Sequence, residues 1–290
     1  MSDIYIKDLQ KDITNLTFND YFRRLTLLAQ AVFKWEGLPP GIKERYIERY
    51  LYSEGRCMFF EDFDKGWMVA KCTDAGSLNY YDEPTKIAPV ATNYPGMVKD
   101  YANGENCVLI FNNDLAYPTV STIRLYAARL TEIQRTADIN IIAQKTPVIV
   151  TGSEKQRLSL RAVIRNWLGN EPLIHGDKEL NGLELRTLNT SAPVVFDKLT
   201  IEKNKMWNEC MTFLGINNAN LDKRERMVDD EVQANNEQIQ LSADVMLKAR
   251  QEAAEAISAL IGSKVTVTMR SAEEAHRRAQ EVAKEDVEND

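Results

Sequence analysis

Histidine is nearly absent: His175 and His276 are the only two, and neither stands in a nucleophile or metal pattern that would make it a catalyst. Cysteine is also sparse. Cys57, Cys72, Cys107 and Cys210 are widely scattered, with no Cys-x-x-Cys pair and no nearby histidines, so they read as reduced, buried thiols rather than a zinc site. None of the 13 glycines begins a Gly-x-x-x-x-Gly-Lys-Ser/Thr phosphate loop, which argues against an ATPase. No run approaches the ~20 apolar residues of a membrane span. The stretch Met1-Ser-Asp-Ile-Tyr-Ile-Lys-Asp lacks the basic start and apolar core of a secretory signal, so an intracellular, soluble chain with no membrane partner is expected. Basic excess is missing too. A net charge of -7 opposes a simple nucleic-acid binder, because phosphate affinity comes mainly from Lys and Arg, and any DNA contact must be local or transient.

What is present is enough apolar material for a sizeable core: 44% of 290 residues are hydrophobic, which fits one large domain or a few modules. From Asp20 to Phe33, apolar Phe22, Leu25, Leu28, Ala29 and Val32 recur at helical spacing, with Asp20 as the expected N-cap. Pro39-Pro40-Gly41 interrupts the chain, and a shorter helix is expected over Ile42 to Tyr52. Between Cys57 and Phe111 the period shifts toward two, predicting strands at Cys57 to Phe60, Trp67 to Cys72, Ile87 to Ala91 and Cys107 to Phe111. The aromatics there could stack on bases, as in single-strand binders, but few Lys or Arg accompany them and core packing is favoured.

A long helix is expected to follow Tyr117-Pro118-Thr119, with Val120, Ile123, Ala127, Leu130, Ile133 or Gln134, Ala137 and Ile141 on one face. Leu125, Ala128, Ile139 and Ile142 occupy its other side, as in a helix contacted from more than one direction. Residues 147–193 read as a compact insertion. It holds a strand at Val148 to Val150, a helix from Ser153 to Leu168 opened by a Ser153-x-x-Gln156 capping box, and short strands around Leu173 and Leu183. Lys155, Arg157, Arg161 and Arg165 on that helix form either a solvated face or a docking surface for an acidic partner or nucleic acid. The next helix, Val194 to Leu214, carries Val195, Leu199, Met206, Cys210 and Phe213 on one face and stops at Gly215. A polar loop then swings from basic (Lys223, Arg224, Arg226) to acidic (Asp229, Asp230, Glu231). Helix is expected again over Leu241 to Ile261, a strand over Val265 to Met269, and a charged, helix-prone tail that frays in its last ten residues.

The stretch from Val194 through Ile239 closely resembles the portal, connector or upper collar protein of phi-29-type short-tailed bacteriophages. So do Phe33-Lys-Trp-Glu-Gly-Leu-Pro-Pro, Val108-Leu-Ile-Phe-Asn-Asn-Asp-Leu-Ala-Tyr-Pro-Thr and Asn140-Ile-Ile-Ala-Gln-Lys-Thr-Pro-Val-Ile, in the same order. The resemblance runs from about Tyr21 to Met269. It implies an α+β, mainly helical portal fold with long stem helices, wing, clip and crown regions, assembled as a ring of about twelve subunits at one capsid vertex. On that template residues 1–117 are wing, 118–146 the first stem helix, 147–193 the clip, 194–214 the second stem helix, 215–243 the channel-loop region, and 244–290 wing and crown.

The resemblance also implies partners: viral double-stranded DNA in the channel, major capsid and scaffolding proteins, a lower collar or tail protein, and a packaging ATPase with or without a packaging RNA. It implies a place in the virion after synthesis in the bacterial host cytoplasm, and calls for no cofactor, metal or catalytic residue. Of the family's channel-facing lysine positions, one is Lys198 here and the other holds Asn189. The loop from Ala219 and Asn220 to Asn235 matches the channel loop, with Lys223, Arg224 and Arg226 placed to meet phosphates and Asp229, Asp230 and Glu231 to limit the affinity; a loop without DNA contact is the plainer reading. The family's basic, RNA-binding N-terminal arm is replaced by a segment carrying Asp3, Lys7, Asp8, Lys11 and Asp12, so RNA binding does not carry over. A head-completion or tail adaptor ring is the alternative function. A metal nuclease built on Asp62 and Asp64, or on Asp229 and Asp230, ranks lower, because these carboxylates read as loop solvation.

Overall fold

The computed structural model describes residues 2–81, 84–90, 101–144, 148–151, 184–187, 193–216 and 229–288. The chain divides into two compact units, Met1–Glu132 with Lys203–Asp290, and Ile133–Glu202.

The larger unit opens on α1 (Ser2–Ala31), a helix of 30 residues. Asp20 is therefore not an N-cap. It lies within the helix, 3.6 Å from Arg24 one turn on, because no Gly or Pro interrupts the chain between Ser2 and Glu36. Helix also ends earlier than Phe33. Residues Phe33–Glu36 form strand β1, whose alternation buries Phe33 and Trp35 and exposes Lys34 and Glu36. β1 pairs antiparallel with β8 (Thr266–Met269), Phe33 opposite Met269 and Glu36 opposite Thr266.

After α2 (Glu44–Glu54), Gly55 takes the left-handed conformation at φ 80° and donates its N–H to the Leu51 carbonyl at 3.0 Å. A Cβ at Gly55 would also collide with the Ala116 carbonyl oxygen, so a side chain is excluded twice over. The chain then builds an antiparallel sheet in the order β4-β3-β2-β5, from β2 (Arg56–Asp62), β3 (Gly66–Leu78), β4 (Pro84–Val90) and β5 (Cys107–Phe111). Both faces of its centre are covered. Cys57 and Phe59 of β2 join Val108 and Ile110 in the main core, while Met58 and Phe60 join Ala70, Ile87, Tyr101 and Leu109 in a second cluster. The aromatics are packing residues: Phe59 stacks on Trp67 at 5.1 Å between centroids and Phe60 tilts against Tyr101 at 4.9 Å. Full burial of each such ring contributes about 1.5–3 kcal/mol.

Helix α3 (Val120–Ala143) buries Ile123, Ala127, Leu130 and Ala137, whereas Leu125 and Ile139 are exposed. Ile141, expected on the inner face, is exposed as well. In α4 (Phe196–Phe213), Cys210 and Met211 are buried. The C-terminus of α4 closes with a paired hydrogen-bond pattern: Ile216 donates to the Met211 carbonyl at 2.9 Å and Gly215, at φ 72°, to that of Thr212 at 3.0 Å.

Helix α5 (Asp229–Ile261) starts twelve residues before the expected Leu241. Asp229, Asp230, Glu231 and Asn235, expected in a polar loop, are thus helical, and the difference has a physical cause. Carboxylates in a first turn face unpaired backbone N–H groups and the positive end of the helix dipole, so the acidic run starts a helix. Val245 is exposed, and the buried stripe runs through Ala243, Met246, Ala249, Arg250, Ala253, Ala254 and Ile257. The tail is helical over Ala272–Glu288 (α6). Its start is a capping box that the sequence reading missed: Ser271 N–H donates to Glu274 at 3.0 Å and Glu274 N–H to Ser271 Oγ at 3.3 Å. Ser271, donating to the Glu274 carboxylate from both its N–H and its hydroxyl, the latter at 3.1 Å, holds that carboxyl below its ordinary pKa. Ala275 and Ala279 of α6 are buried, and the helix packs on α1.

In the smaller unit, β6 (Val148–Thr151) pairs antiparallel with β7 (Glu184–Thr187). Asn140 ties α3 to the entry of α4, donating Nδ2 to the Pro193 carbonyl at 2.9 Å and accepting the Val195 N–H at 3.3 Å. The helix expected over Ser153 to Leu168 and the strand near Leu173 lie outside the described residues.

Candidate functional site

The most developed polar site of the larger unit is a buried cross-brace between α2 and α5. Glu48 and Arg250 have side chains 2% and 3% exposed, a depth at which a lone charge is untenable. Arg250 Nε donates to Glu48 Oε1 at 2.9 Å and Nη2 to Oε2 at 2.8 Å, a fork-on-fork pair. Its remaining N–H groups reach the Asn112 carbonyl at 3.1 Å, Asn112 Oδ1 at 3.0 Å and the Met246 carbonyl at 2.9 Å. Trp35 Nε1 completes the carboxylate at 2.9 Å, and the guanidinium lies 4.0 Å from the Phe33 ring centroid. Asn112 extends the network to the start of α3, donating Nδ2 to the Tyr117 carbonyl at 2.8 Å and to Thr119 Oγ1 at 2.9 Å.

One turn earlier on α2, Glu44 anchors the C-terminal elements. Arg270 donates to both its oxygens at 2.7 and 2.8 Å, and Arg278 of α6 reaches Oε1 at 3.0 Å. Arg270 also donates to the Ala31 and Phe33 carbonyls. Two glutamates on one face of a short helix therefore bind three arginines from the last fifth of the chain. Among the described residues, no buried side-chain nitrogen or oxygen is left without a hydrogen-bond partner. What the arrangement does chemically is to lock distant segments in register.

The thiols are shielded. Burial pushes Cys57 well above its ordinary pKa, Cys72 and Cys107 to about 11, and Cys210 to about 12. Among the described residues, no group of three or more His, Cys, Asp and Glu side chains could hold a metal ion. No described helix is long and apolar enough to cross a membrane.

Lys198 is exposed on the first turn of α4. Asp229, Asp230, Glu231 and Asn235 belong to the first two turns of α5. Ala219, Asn220, Lys223, Arg224, Arg226, Asn189, Lys155, Arg157, Arg161 and Arg165 lie outside the described residues. Of the sequence-predicted cations, Lys198 alone lies among the described residues. The cross-brace itself was missed, although a signal existed. Arg250 interrupts an apolar stripe, Ala243, Met246, Ala253 and Ile257, at helical spacing, and Glu48 interrupts Ile47 and Leu51; a charge inside a buried stripe requires a partner.

The fold is that of phage portal proteins. It is similar to a chain in the structure of the portal and tail of native bacteriophage P68, with a TM-score of 0.52 and 18% identity over 93% of this chain and 91% of that one. An HK97-family phage portal protein from Corynebacterium diphtheriae aligns at a TM-score of 0.48 and 10% identity, over 88% of this chain and 93% of that one. The sequence matches the Phage Connector (GP10) family over residues 2–273, and the chain belongs to that family.

Proposed function

We propose that this protein forms the portal ring of a bacteriophage, a structural channel at one capsid vertex for DNA packaging and ejection and the seat of the motor and tail. The match to the connector family over residues 2–273 carries this reading. A feature of the described helices supports it. Leu125 and Ile139 of α3, Phe196 and Ile201 of α4, and Leu241 and Val245 of α5 are all exposed in the single chain, and apolar side chains on long helices are what neighbouring subunits would cover. Ring closure would bring together about twelve copies, by head-to-tail contacts between two different faces of each.

In that ring Lys198 would recur as a belt of positive charge against a summed formal charge of about -80. Such a wall guides a duplex without trapping it, because only a few cations release counterions at once. Lys223, Arg224 and Arg226 would supply transient phosphate contacts just before α5, and Asp229, Asp230 and Glu231 at its start would limit them. Lys155, Arg157, Arg161 and Arg165 would face an acidic partner at the narrow end. Electron microscopy of the purified protein tests the assembly: annular particles with a central channel are expected, and a monomer at high concentration overturns it.

A further inference from the structure

The larger unit holds its chain firmly up to Arg270 and lightly beyond it. Arg270 donates its N–H to the Val32 carbonyl at 2.8 Å and its guanidinium to both oxygens of Glu44 at 2.7 and 2.8 Å. Ser271 follows, exposed, and its capping box starts α6 without help from another element. The helix then has little to bury. It carries no apolar side chain larger than valine, and it packs on α1 with Ala275 and Ala279 buried. A polar tether reaches across to α2: Arg278 Nε donates to Glu44 Oε1 at 3.0 Å, between side chains 19% and 15% exposed. Beside Ala279 the packing is incomplete. A groove of about 380 Å³ lies between α1, α4 and α6, lined by Leu27, Leu28, Trp207, Ala279 and Gln280 among others. The family match stops at residue 273, so all of α6 but its first two residues lies beyond it.

We propose that α6 is a strap that swings out as one piece about Arg270 and Ser271, at a cost well below that of unfolding the larger unit, and that its opening uncovers the apolar floor of Leu27, Leu28 and Trp207. The cost of a local opening follows the apolar contact and the cross-element hydrogen bonds that a segment gives up. Here the contact consists of small side chains, and the backbone bonds of α6 and its cap travel with it. The ion pair sets no obstacle of the usual kind. When Arg278 leaves, Glu44 keeps both bonds to Arg270, so opening strands no charge in the interior. Arg278 itself passes into water. By contrast α5, with Met246, Arg250 and Ile257 buried along one stripe, cannot leave without breaking the core and stranding Glu48. The strap needs no neighbouring subunit, and it stands or falls separately from the ring.

Hydrogen exchange of the full chain, read by mass spectrometry of its peptides, tests the strap. The amides of 275–288 should exchange together, more slowly than in an unfolded peptide but about tenfold or more faster than those of α5 between Met246 and Ile257. Arg278→Gln removes the charged tether and should speed exchange across α6 by about tenfold or more while leaving α5 unchanged. Gln280→Leu sets an apolar side chain at the groove and should slow it. Binding of the apolar dye anilinonaphthalenesulfonate should rise in the first variant and fall in the second, because the dye reports the uncovered floor. Any other pattern overturns the strap: α6 exchanging only together with α5, α6 exchanging as an unprotected chain, α5 losing protection alongside α6 in Arg278→Gln, or either variant leaving α6 or the dye signal unmoved.

Discussion

Arg250 of α5 and Glu48 of α2 stand 202 residues apart in sequence and share two hydrogen bonds of 2.9 and 2.8 Å in the core. The same guanidinium is bound by Asn112, whose amide fixes the carbonyl of Tyr117 and the hydroxyl of Thr119 at the entry of α3. The pair therefore sits where three non-contiguous segments meet. Its loss should be felt by all of them together.

Glu48→Gln, which preserves shape but leaves the buried guanidinium without its counter-charge, should destabilise the fold by about 3–5 kcal/mol. Joint replacement, Glu48→Leu with Arg250→Met, should cost less than the two single changes together, because neither charge is then stranded. Thermal melts at fixed protein concentration, arranged as a double-mutant cycle, read the coupling. Additive losses would show that the pair does not act as a unit.

Gly215 ends α4 at φ 72°, and a Cβ there would stand 2.5 Å from Ala243 Cβ and 2.8 Å from Met269 Cε. Gly215→Ala thus combines left-handed strain with overpacking, and a loss of about 2–4 kcal/mol is expected. A lowered midpoint in thermal denaturation is the readout. As a control, Gly41→Ala, also at positive φ but with open space around it, should cost about 1 kcal/mol.

Much of the fold was legible because it is local. The alternation from Cys57 to Phe60 and from Cys107 to Phe111, and the helical spacing from Val120 to Ala137, each name their element without reference to any other. What stayed hidden depends on distant partners. Phe33 and Trp35 become a strand because Val267 and Met269 lie alongside them, and their apolar character alone also suits the end of a helix. The polarity of Asp229 to Glu231 suits a loop as readily as the first turn of a helix, where the dipole favours carboxylates. The candidate site was legible only as chemistry: Lys198 could be picked out as a cation, while the partner of Arg250 could not be named before the fold placed Glu48 beside it.

The thiols predict an alkaline limit. Cys210 is raised from an ordinary 9.0 to about 12, and Cys72 and Cys107 to about 11, by burial above all. In the unfolded chain these groups ionise near their ordinary value, so the folded state binds more protons between that pH and its own pKa values. Their contribution to stability is fully present below about pH 9 and is lost as pH rises toward 11 and 12. A melting temperature that falls across this interval, and does so less in Cys210→Ala, is expected. At pH 8 a thiol reagent should modify half-buried Cys72 first and leave Cys57 and Cys210 unmodified until the chain is unfolded.

The placement of the acidic run inside α5 sharpens where DNA contact should be sought. If Asp229 begins a helix, the segment available to meet a duplex is shorter than the expected 219–235, and its cations are Lys223, Arg224 and Arg226. Neutralising them together as Gln should leave ring assembly intact. The slope of log affinity for double-stranded DNA against log salt should become shallower by up to about 0.9 for each phosphate contact removed. Particles assembled with this variant should retain packaged DNA less well. Asp229→Asn with Glu231→Gln should act in the opposite sense, strengthening DNA binding at low salt while weakening the start of α5 through loss of favourable charge at its N-terminus. Filter binding across a salt series, read beside the melting temperature, separates the two effects. An unchanged salt slope in the triple Gln variant would place the DNA contact elsewhere in the channel, with the Lys198 belt as the next position to neutralise.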